Sequence, residues 1–171
     1  MHYVTRMLVL QHKPPIFTVT AYATITTTAD SSGRVEEEKE DIDVKNLPDN
    51  IGAYCGISVI SWTIHIESLY NNPKYAGKKL GMLTLKAGIL RALEEGASPR
   101  VRLNDYSGVE DLSRNLYYRL GFKARSPLDD GRGRWVDWDA AQRASPHGPI
   151  DPERAIDAFD LLKNIDHIGA T

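Results

Sequence analysis

Apolar residues that alternate along the middle of the chain restrict its folds more than any other feature of the sequence. Between residues 56 and 70 the alternating positions are Ile60, Trp62, Ile64 and Ile66. A period of two is typical of a β-strand with one buried face. Because Ile57 and Val59 have the opposite parity, we expect a β-bulge or a strand break near residues 59–60.

The periodicity changes directly after this strand. Residues 81–95 carry apolar side chains at spacings of three and four, which predict an amphipathic helix. Gly96 is a natural end for that helix. A short strand is predicted at residues 101–103.

A second helix is predicted over residues 109–120, where Ser107 and Glu110 have the spacing of a capping box. Phe122 begins another extended segment. The order over residues 56–125 is therefore strand, helix, strand, helix, strand. Helices that cross between neighbouring strands in this way are typical of an α/β domain.

The flanking regions differ in character. Residues 3–10 and 16–28 predict two strands, and the turn Asp30-Ser31-Ser32-Gly33 indicates a hairpin of the second strand with residues 34–45. Residues 135–138 predict a final strand, and residues 152–164 a short helix. A length of 171 residues fits a single domain better than two. We expect that domain to have three parts: a strand-rich part (1–55), a core (56–125) and a C-terminal extension (126–171).

Composition excludes several classes of protein. A formal charge of −2 gives no general basic field for nucleic acid. Neither a run of roughly 20 apolar residues nor a signal-peptide pattern is present, so we expect no membrane partner and a cytoplasmic location. Cys55 is the only cysteine, and we interpret it as a small core residue rather than a nucleophile. The five histidines lack the spacing of metal ligands, so no metal is expected.

The segment that follows the alternating strand has features of an anion site. Residues 66–81 read as the end of a strand, a turn with glycine and lysines, and the start of a helix. Glycines allow backbone N–H groups to approach a ligand, and a helix N-terminus favours negative charge. This arrangement can hold a diphosphate.

Two motifs together resemble the GNAT superfamily of N-acetyltransferases. The first is Pro73-Lys74-Tyr75-Ala76-Gly77-Lys78-Lys79-Leu80-Gly81, which is similar to the family's Pro-x-Tyr-Arg-Gly-Lys-Gly-Ile-Gly. The second is Leu116-Tyr117-Tyr118-Arg119-Leu120-Gly121-Phe122, which is similar to Leu-Tyr-x-x-x-Gly-Phe. The resemblance covers about residues 56–125.

The resemblance implies a GNAT-like fold: a mixed, mostly antiparallel sheet with a splayed parallel strand pair and flanking helices. It also implies acetyl-CoA as the acyl donor. The residues implied for donor binding are Leu69, Tyr70, Asn71, Gly77, Lys78, Lys79, Leu80 and Gly81. Of these, the backbone N–H groups of residues 69–71 would polarise the acetyl carbonyl.

Catalytic roles follow from the same resemblance. Tyr117 corresponds to the family tyrosine that protonates the departing thiolate, and a phenol of pKa about 10 suits that role. Glu67 is the candidate base, with His65 as its alternative. No covalent enzyme intermediate is expected.

The first motif departs from the family pattern at two positions. Ala76 replaces the usual arginine, and Lys79 replaces the middle glycine. Lys79 fits there only if its φ is negative or if strain is tolerated.

The predicted function is transfer of an acetyl group to an amine acceptor. The acceptor is a small molecule or a protein, and the enzyme is a monomer or a homodimer. Alternatives are a GNAT-fold enzyme specialised for nucleic acid, protein or another acyl donor, and a non-catalytic interaction module.

Overall fold

The computed structural model describes residues 2–13, 16–26, 35–37, 50–75, 79–127, 134–145 and 150–169. Its strands are β1 (His2–Lys13), β2 (Ile16–Thr26), β3 (Val35–Glu37), β4 (Ile51–Ile60), β5 (Thr63–Asn71), β6 (Arg100–Asn104), β7 (Lys123–Arg125), β8 (Trp135–Val136) and β9 (Glu153–Asp157). Its helices are α1 (Leu80–Glu94), α2 (Leu116–Arg119), α3 (Trp138–Arg143) and α4 (Ala158–Gly169). The chain divides into two compact units, Met1–Ser98 and Pro99–Thr171.

In the described residues of the first unit, helix α1 packs on a sheet. Strands β1, β2, β4 and β5 pair antiparallel in that order, and β3 pairs parallel to β1. Helix α1 approaches β4 closely, since a Cβ placed on Gly88 would lie 2.8 Å from Cδ1 of Ile57. On these two elements the side chains of Val59, Leu85 and Ile89 are fully buried.

The alternating segment forms two strands rather than one. A two-residue turn, Ser61-Trp62, separates β4 from β5, and both residues have positive φ (+51° and +66°). This is the φ pattern of a type I′ hairpin turn, which usually contains asparagine and glycine. The backbone N–H and the hydroxyl of Ser98 both donate to the Trp62 carbonyl, at 2.8 and 2.9 Å.

The predicted irregularity in this segment, a β-bulge or a strand break near residues 59–60, is present as a strand break, since β4 ends at Ile60. A β-bulge lies further along the hairpin. The pairing of β4 with β5 shifts between Gly56 and Ile57, which face Ser68 and Ile66 respectively, so Glu67 is the extra residue of that bulge.

The second unit contains a smaller antiparallel sheet. Strand β9 pairs with β6 on one side and with β7 on the other, and β7 pairs with β8. Helix α4 follows β9 and buries Leu161 and Ile165. None of the helices within the described ranges is long and apolar enough to cross a membrane.

The helix predicted over residues 109–120 was wrong in its extent. The chain forms a 3₁₀ turn at Leu112–Arg114 and then the four-residue helix α2. Polar side chains interrupt the helix because they bind backbone N–H groups: Asp111 accepts from Ser113, and Asn115 accepts from the residues that follow it. The Ser107 hydroxyl donates to Asp105 at 2.6 Å and caps no helix.

Two predictions for the C-terminal part were also corrected. The helix predicted at 152–164 begins only at Ala158, because residues 153–157 pair with strands on both sides. The strand predicted at 135–138 ends at Val136, since Trp138 begins α3. Helix α1 and strands β1, β2 and β6 lie where the sequence predicts them, within a few residues.

Candidate functional site

The turn that links β5 to α1 is held by Asn72. Its side-chain amide donates to the Ile51 carbonyl at 3.0 Å, and its backbone N–H donates to the Gly52 carbonyl at 2.8 Å. The Asn72 side-chain and main-chain oxygens accept from the N–H groups of Lys74 and Tyr75, each at 3.0 Å. The end of the strand and the short 3₁₀ turn at Pro73–Tyr75 are thereby fixed to β4.

Gly81 lies directly against the last residue of β5. A Cβ at this position would lie 2.5 to 2.8 Å from the amide atoms of Asn71. Any larger residue would displace the Asn71 side-chain amide. The glycine that ends the first motif therefore allows the start of α1 to lie beside Asn71.

The first turn of α1 presents the positive end of the helix dipole. It contains no acidic residue, and the Lys79 side chain makes no capping hydrogen bond to it. The N-terminus of a fifteen-residue helix favours an anion for this reason. Leu80 is buried against β2 and β4, which anchors the turn.

Lys79 has φ +56° and ψ +29°, the left-handed conformation. Of the two alternatives that the sequence left open, negative φ or tolerated strain, the second applies. Three other residues of the first motif, Ala76, Gly77 and Lys78, lie outside the described residues, so the structure does not place the predicted donor-binding residues Gly77 and Lys78.

The candidate bases lie on β5 near the bulge. Glu67 is exposed and His65 is half-buried, whereas Ile64 and Ile66, which alternate with them, are buried. Because a bulge redirects the side chain of its extra residue, Glu67 is displaced from the regular pleat. Both candidates lie on the opposite parity from the apolar positions, as the sequence predicts.

The three residues expected to polarise a carbonyl continue the same strand. Leu69, Tyr70 and Asn71 remain in register with β4, and the Tyr70 ring stacks on that of Tyr54 at a centroid distance of 5.4 Å. The strand is thus rigidly supported up to its last residue.

Tyr117 lies in the second unit, on α2. Its side chain is half-buried and meets the Phe122 ring edge-on, at a centroid distance of 5.9 Å. The Tyr117 carbonyl accepts from the Phe122 N–H at 3.1 Å. The aromatic ends of the second motif therefore hold each other in place.

Asn115 is the main residue of this region to which the sequence analysis gave no role. It is buried, and its oxygen accepts from the N–H groups of Tyr117 (3.0 Å) and Tyr118 (3.2 Å). Its amide donates to Asp105 Oδ2 (2.9 Å) and to the Val109 carbonyl (3.1 Å). Asparagine is a preferred helix N-cap, so its position just before Leu116 is a signal that could have identified it.

Asp105 connects Asn115 to a buried cation. Burial disfavours the charged form, but hydrogen bonds from Ser107 and Asn115, and the nearby charge of Arg154, hold the pKa of Asp105 below its ordinary value. The Arg154 guanidinium lies 4.1 Å from the Trp138 ring centroid. A cleft of about 850 Å³ borders these residues and also contains the carboxylate of Glu110.

The described residues give little support to a nucleophilic cysteine or to a metal site. Cys55 is fully buried, and burial raises the pKa of its thiol to about 12, so it is a core residue and not a nucleophile. Among the described residues, no group of three or more histidines, cysteines or carboxylates could hold a metal ion.

Comparison with known families gives one match. Residues 21–122, more than half of the chain, match the acetyltransferase (GNAT) family. This confirms the resemblance inferred from the two motifs and the predicted GNAT-like fold, a mixed, mostly antiparallel sheet with a parallel strand pair and flanking helices. The match begins before residue 56 and so extends into the strand-rich part. No curated protein matches the sequence significantly.

Several solved structures are similar to the chain. PaiA N-acetyltransferase from Thermoplasma acidophilum, in complex with coenzyme A, is 18% identical, with 83% of this chain and 60% of that chain covered and a TM-score of 0.44. The ribosomal-protein-S18-alanine N-acetyltransferase from Escherichia coli is 16% identical, with coverages of 66% and 65% and a TM-score of 0.41. Nourseothricin acetyltransferase is 17% identical, with coverages of 85% and 66% and a TM-score of 0.44. The chain thus spans just under two thirds of the length of these proteins.

The left-handed conformation of Lys79 can be tested by substitution. Lys79→Gly should raise the free energy of unfolding by up to about 1 kcal/mol, because this conformation costs a non-glycine residue about 1–2 kcal/mol and the extra entropy of unfolded glycine offsets part of the gain. Lys79→Ala removes the same charge but keeps the backbone penalty, so it should give no such gain. Urea denaturation of both variants measures the difference. Equal stability of the two variants would contradict the left-handed assignment.

The lowered pKa of Asp105 predicts a pH-dependent contribution to stability. A carboxylate with a depressed native pKa stabilises the fold above its unfolded pKa of about 3.9, and that contribution is lost as the pH falls through the native value. The free energy of unfolding of the wild type should therefore exceed that of Asp105→Asn by about 1–3 kcal/mol at pH 7. This difference should shrink below about pH 4. Denaturant unfolding between pH 3 and 7 measures it.

Asp139→Asn is the matched control for this experiment. Asp139 is held by one solvent-exposed ion pair, 3.9 Å from Arg143, so the substitution should cost less than about 1 kcal/mol throughout. A pH-independent difference between wild type and Asp105→Asn would show that Asp105 does not stabilise the native state through its charge.

Proposed function

Because the chain belongs to the GNAT family of acetyltransferases, we propose that it transfers an acetyl group from acetyl-CoA to an amine acceptor. One observation carries this proposal: the start of α1, where the motif glycine Gly81 lies against the end of β5 and the first turn contains no acidic side chain. This is the place where the family motif implies a diphosphate.

Donor binding would use both the backbone and the side chains of this junction. The N–H groups of the first turn, at Leu80 and Gly81, would donate hydrogen bonds to the diphosphate, and Lys79 would add a positive charge. Gly77 and Lys78 belong to the same proposed site. The backbone of residues 69–71 would polarise the acetyl carbonyl.

The proposed reaction is a direct attack. The neutral amine forms a bond to the acetyl carbon, the carbon–sulfur bond breaks, and Tyr117 gives its proton to the departing thiolate. Glu67, or His65 as the alternative, would take the proton that the amine loses. The burial and raised pKa of Cys55 argue against an acyl-cysteine intermediate.

The acceptor is proposed only as an amine, carried by a small molecule or a protein. The cleft near Trp138 is lined by two carboxylates, of Asp105 and Glu110, and by one cation, Arg154, and this balance favours a cationic group there. A screen of amine acceptors, followed by mass spectrometry for an added acetyl group, would identify its class. Whether the protein acts as a monomer or a homodimer stays a prediction.

Calorimetry with acetyl-CoA and a tyrosine variant tests the proposal. Wild type should bind acetyl-CoA, and Tyr117→Phe should lower turnover by about a hundredfold while leaving binding nearly unchanged, because only the acidic proton is removed. Tyr118→Phe removes the neighbouring hydroxyl and should retain activity.

No detectable binding at millimolar acetyl-CoA would overturn the enzymatic proposal in favour of a non-catalytic module. Binding without transfer to any amine would favour a specialised substrate or another acyl donor. An unchanged rate in Tyr117→Phe would remove Tyr117 from the mechanism.

The base is tested by the dependence of the rate on pH. If Glu67 accepts the proton, Glu67→Gln should lose the ascending limb of the pH–rate profile, while its exposed position predicts little effect on stability. An intact ascending limb would assign the role to His65 or to water. His65→Asn measured in parallel separates these two.

A further inference from the structure

We propose that a second cleft, within the unit Pro99–Thr171, binds a small phosphate-bearing ligand. Its volume is about 720 Å³, within the usual range for small-molecule sites. It lies toward Arg100, the first residue of β6, whereas Asp105 follows the last residue of that strand. The cleft shares no lining residue with the proposed acetyl-transfer site, so this inference does not rest on the proposed function.

Strand register places two cations on one face of the sheet. Arg102 on β6 and Lys123 on β7 both lie directly opposite Ala155 on the strand between them. Residues directly opposite each other point to the same face, and two strand spacings put these two backbones about 10 Å apart. Because Ala155 contributes only a methyl group, the space between the two cationic side chains is open.

The charges that line the cleft do not cancel. Four cationic side chains face two carboxylates: Arg100, Arg102, Lys123 and Lys163 against Asp157 and Asp160. Oδ1 of Asp157 already caps α4, accepting from the N–H groups of residues 159 and 160 at 2.9 and 3.1 Å. Among the described residues, none of the four cations forms an ion pair within 4 Å. An anion would therefore relieve repulsion among them.

The arginine geometry favours phosphate over a generic anion. The Arg102 guanidinium lies 5.7 Å from the Trp135 ring centroid, so an aromatic wall supports it on one side. The neighbouring Arg125 also contacts this ring, at 5.4 Å, but it is paired with Glu153 at 2.8 Å. Arg102 thus keeps its donors available, and a planar guanidinium can bind phosphate through two parallel hydrogen bonds.

Isothermal titration of the full chain with inorganic pyrophosphate and with ADP, at equal ionic strength, tests the proposal. Both should bind. Substituting Arg102→Ala and Lys123→Ala together should weaken binding at least about tenfold, as expected for the loss of charge-assisted hydrogen bonds. Lys163→Ala, on an exposed helix position, should weaken binding without risk to the fold. Arg143→Ala removes one exposed cation outside the cleft and should have no effect.

Comparison with a variant at α1 makes the result decisive. Pyrophosphate binding could be retained in the double variant Arg102→Ala/Lys123→Ala but lost in Lys79→Ala. In that case the phosphate binds at the start of α1, and the proposal is wrong. Absence of binding of both ligands to the wild-type protein also overturns it. Quenching of the wild-type tryptophan fluorescence by ADP that is lost in Trp135→Phe would place the ligand in this cleft, and quenching that persists in the variant would contradict it.

Discussion

The contact between Gly81 and Asn71 is the constraint on which the first unit depends. It brings the N-terminus of α1 to the end of β5, and Asn72 fixes the intervening turn to β4 through the carbonyls of residues 51 and 52. A side chain at position 81 would displace the Asn71 amide from its place beside the positive end of the helix dipole. The close approach of Gly81 to the Asn71 amide therefore places the start of α1 beside the end of β5, where Leu69, Tyr70 and Asn71 lie.

Much of this fold could be predicted because its signals are local. The spacing of apolar residues predicts α1, and β-branched residues predict β1 and β2. Non-local pairing explains the main failure near the C-terminus, since residues 153–157 become a strand only because β6 and β7 lie on both sides. The helix expected at 109–120 failed for another reason: side chains of Asp111 and Asn115 compete for backbone N–H groups, and an apolar pattern does not show this.

The sequence predicted the two motifs of the candidate site, but it did not predict the residues that hold those motifs in place. Tyr117 and Gly81 follow from the resemblance. The contacts show what lies beside them: Asn115, whose N-cap position is a sequence signal that was not used, and the side-chain amide of Asn71. Asn115 satisfies two backbone donors of α2 and also binds Asp105, ten residues earlier. The left-handed Lys79 shows the same limit, because the sequence named the position but could not choose between its two conformations.

The Ser61-Trp62 turn has a consequence for the order in which the first unit assembles. Two side-chain-bearing residues with positive φ make a poor nucleus for a hairpin, so β4 and β5 gain little from closing on their own. The Trp62 carbonyl is satisfied by Ser98, four residues beyond the end of α1. Closure of the hairpin is thereby coupled to docking of the helix, and the folding transition state should contain α1 together with both strands rather than the hairpin alone.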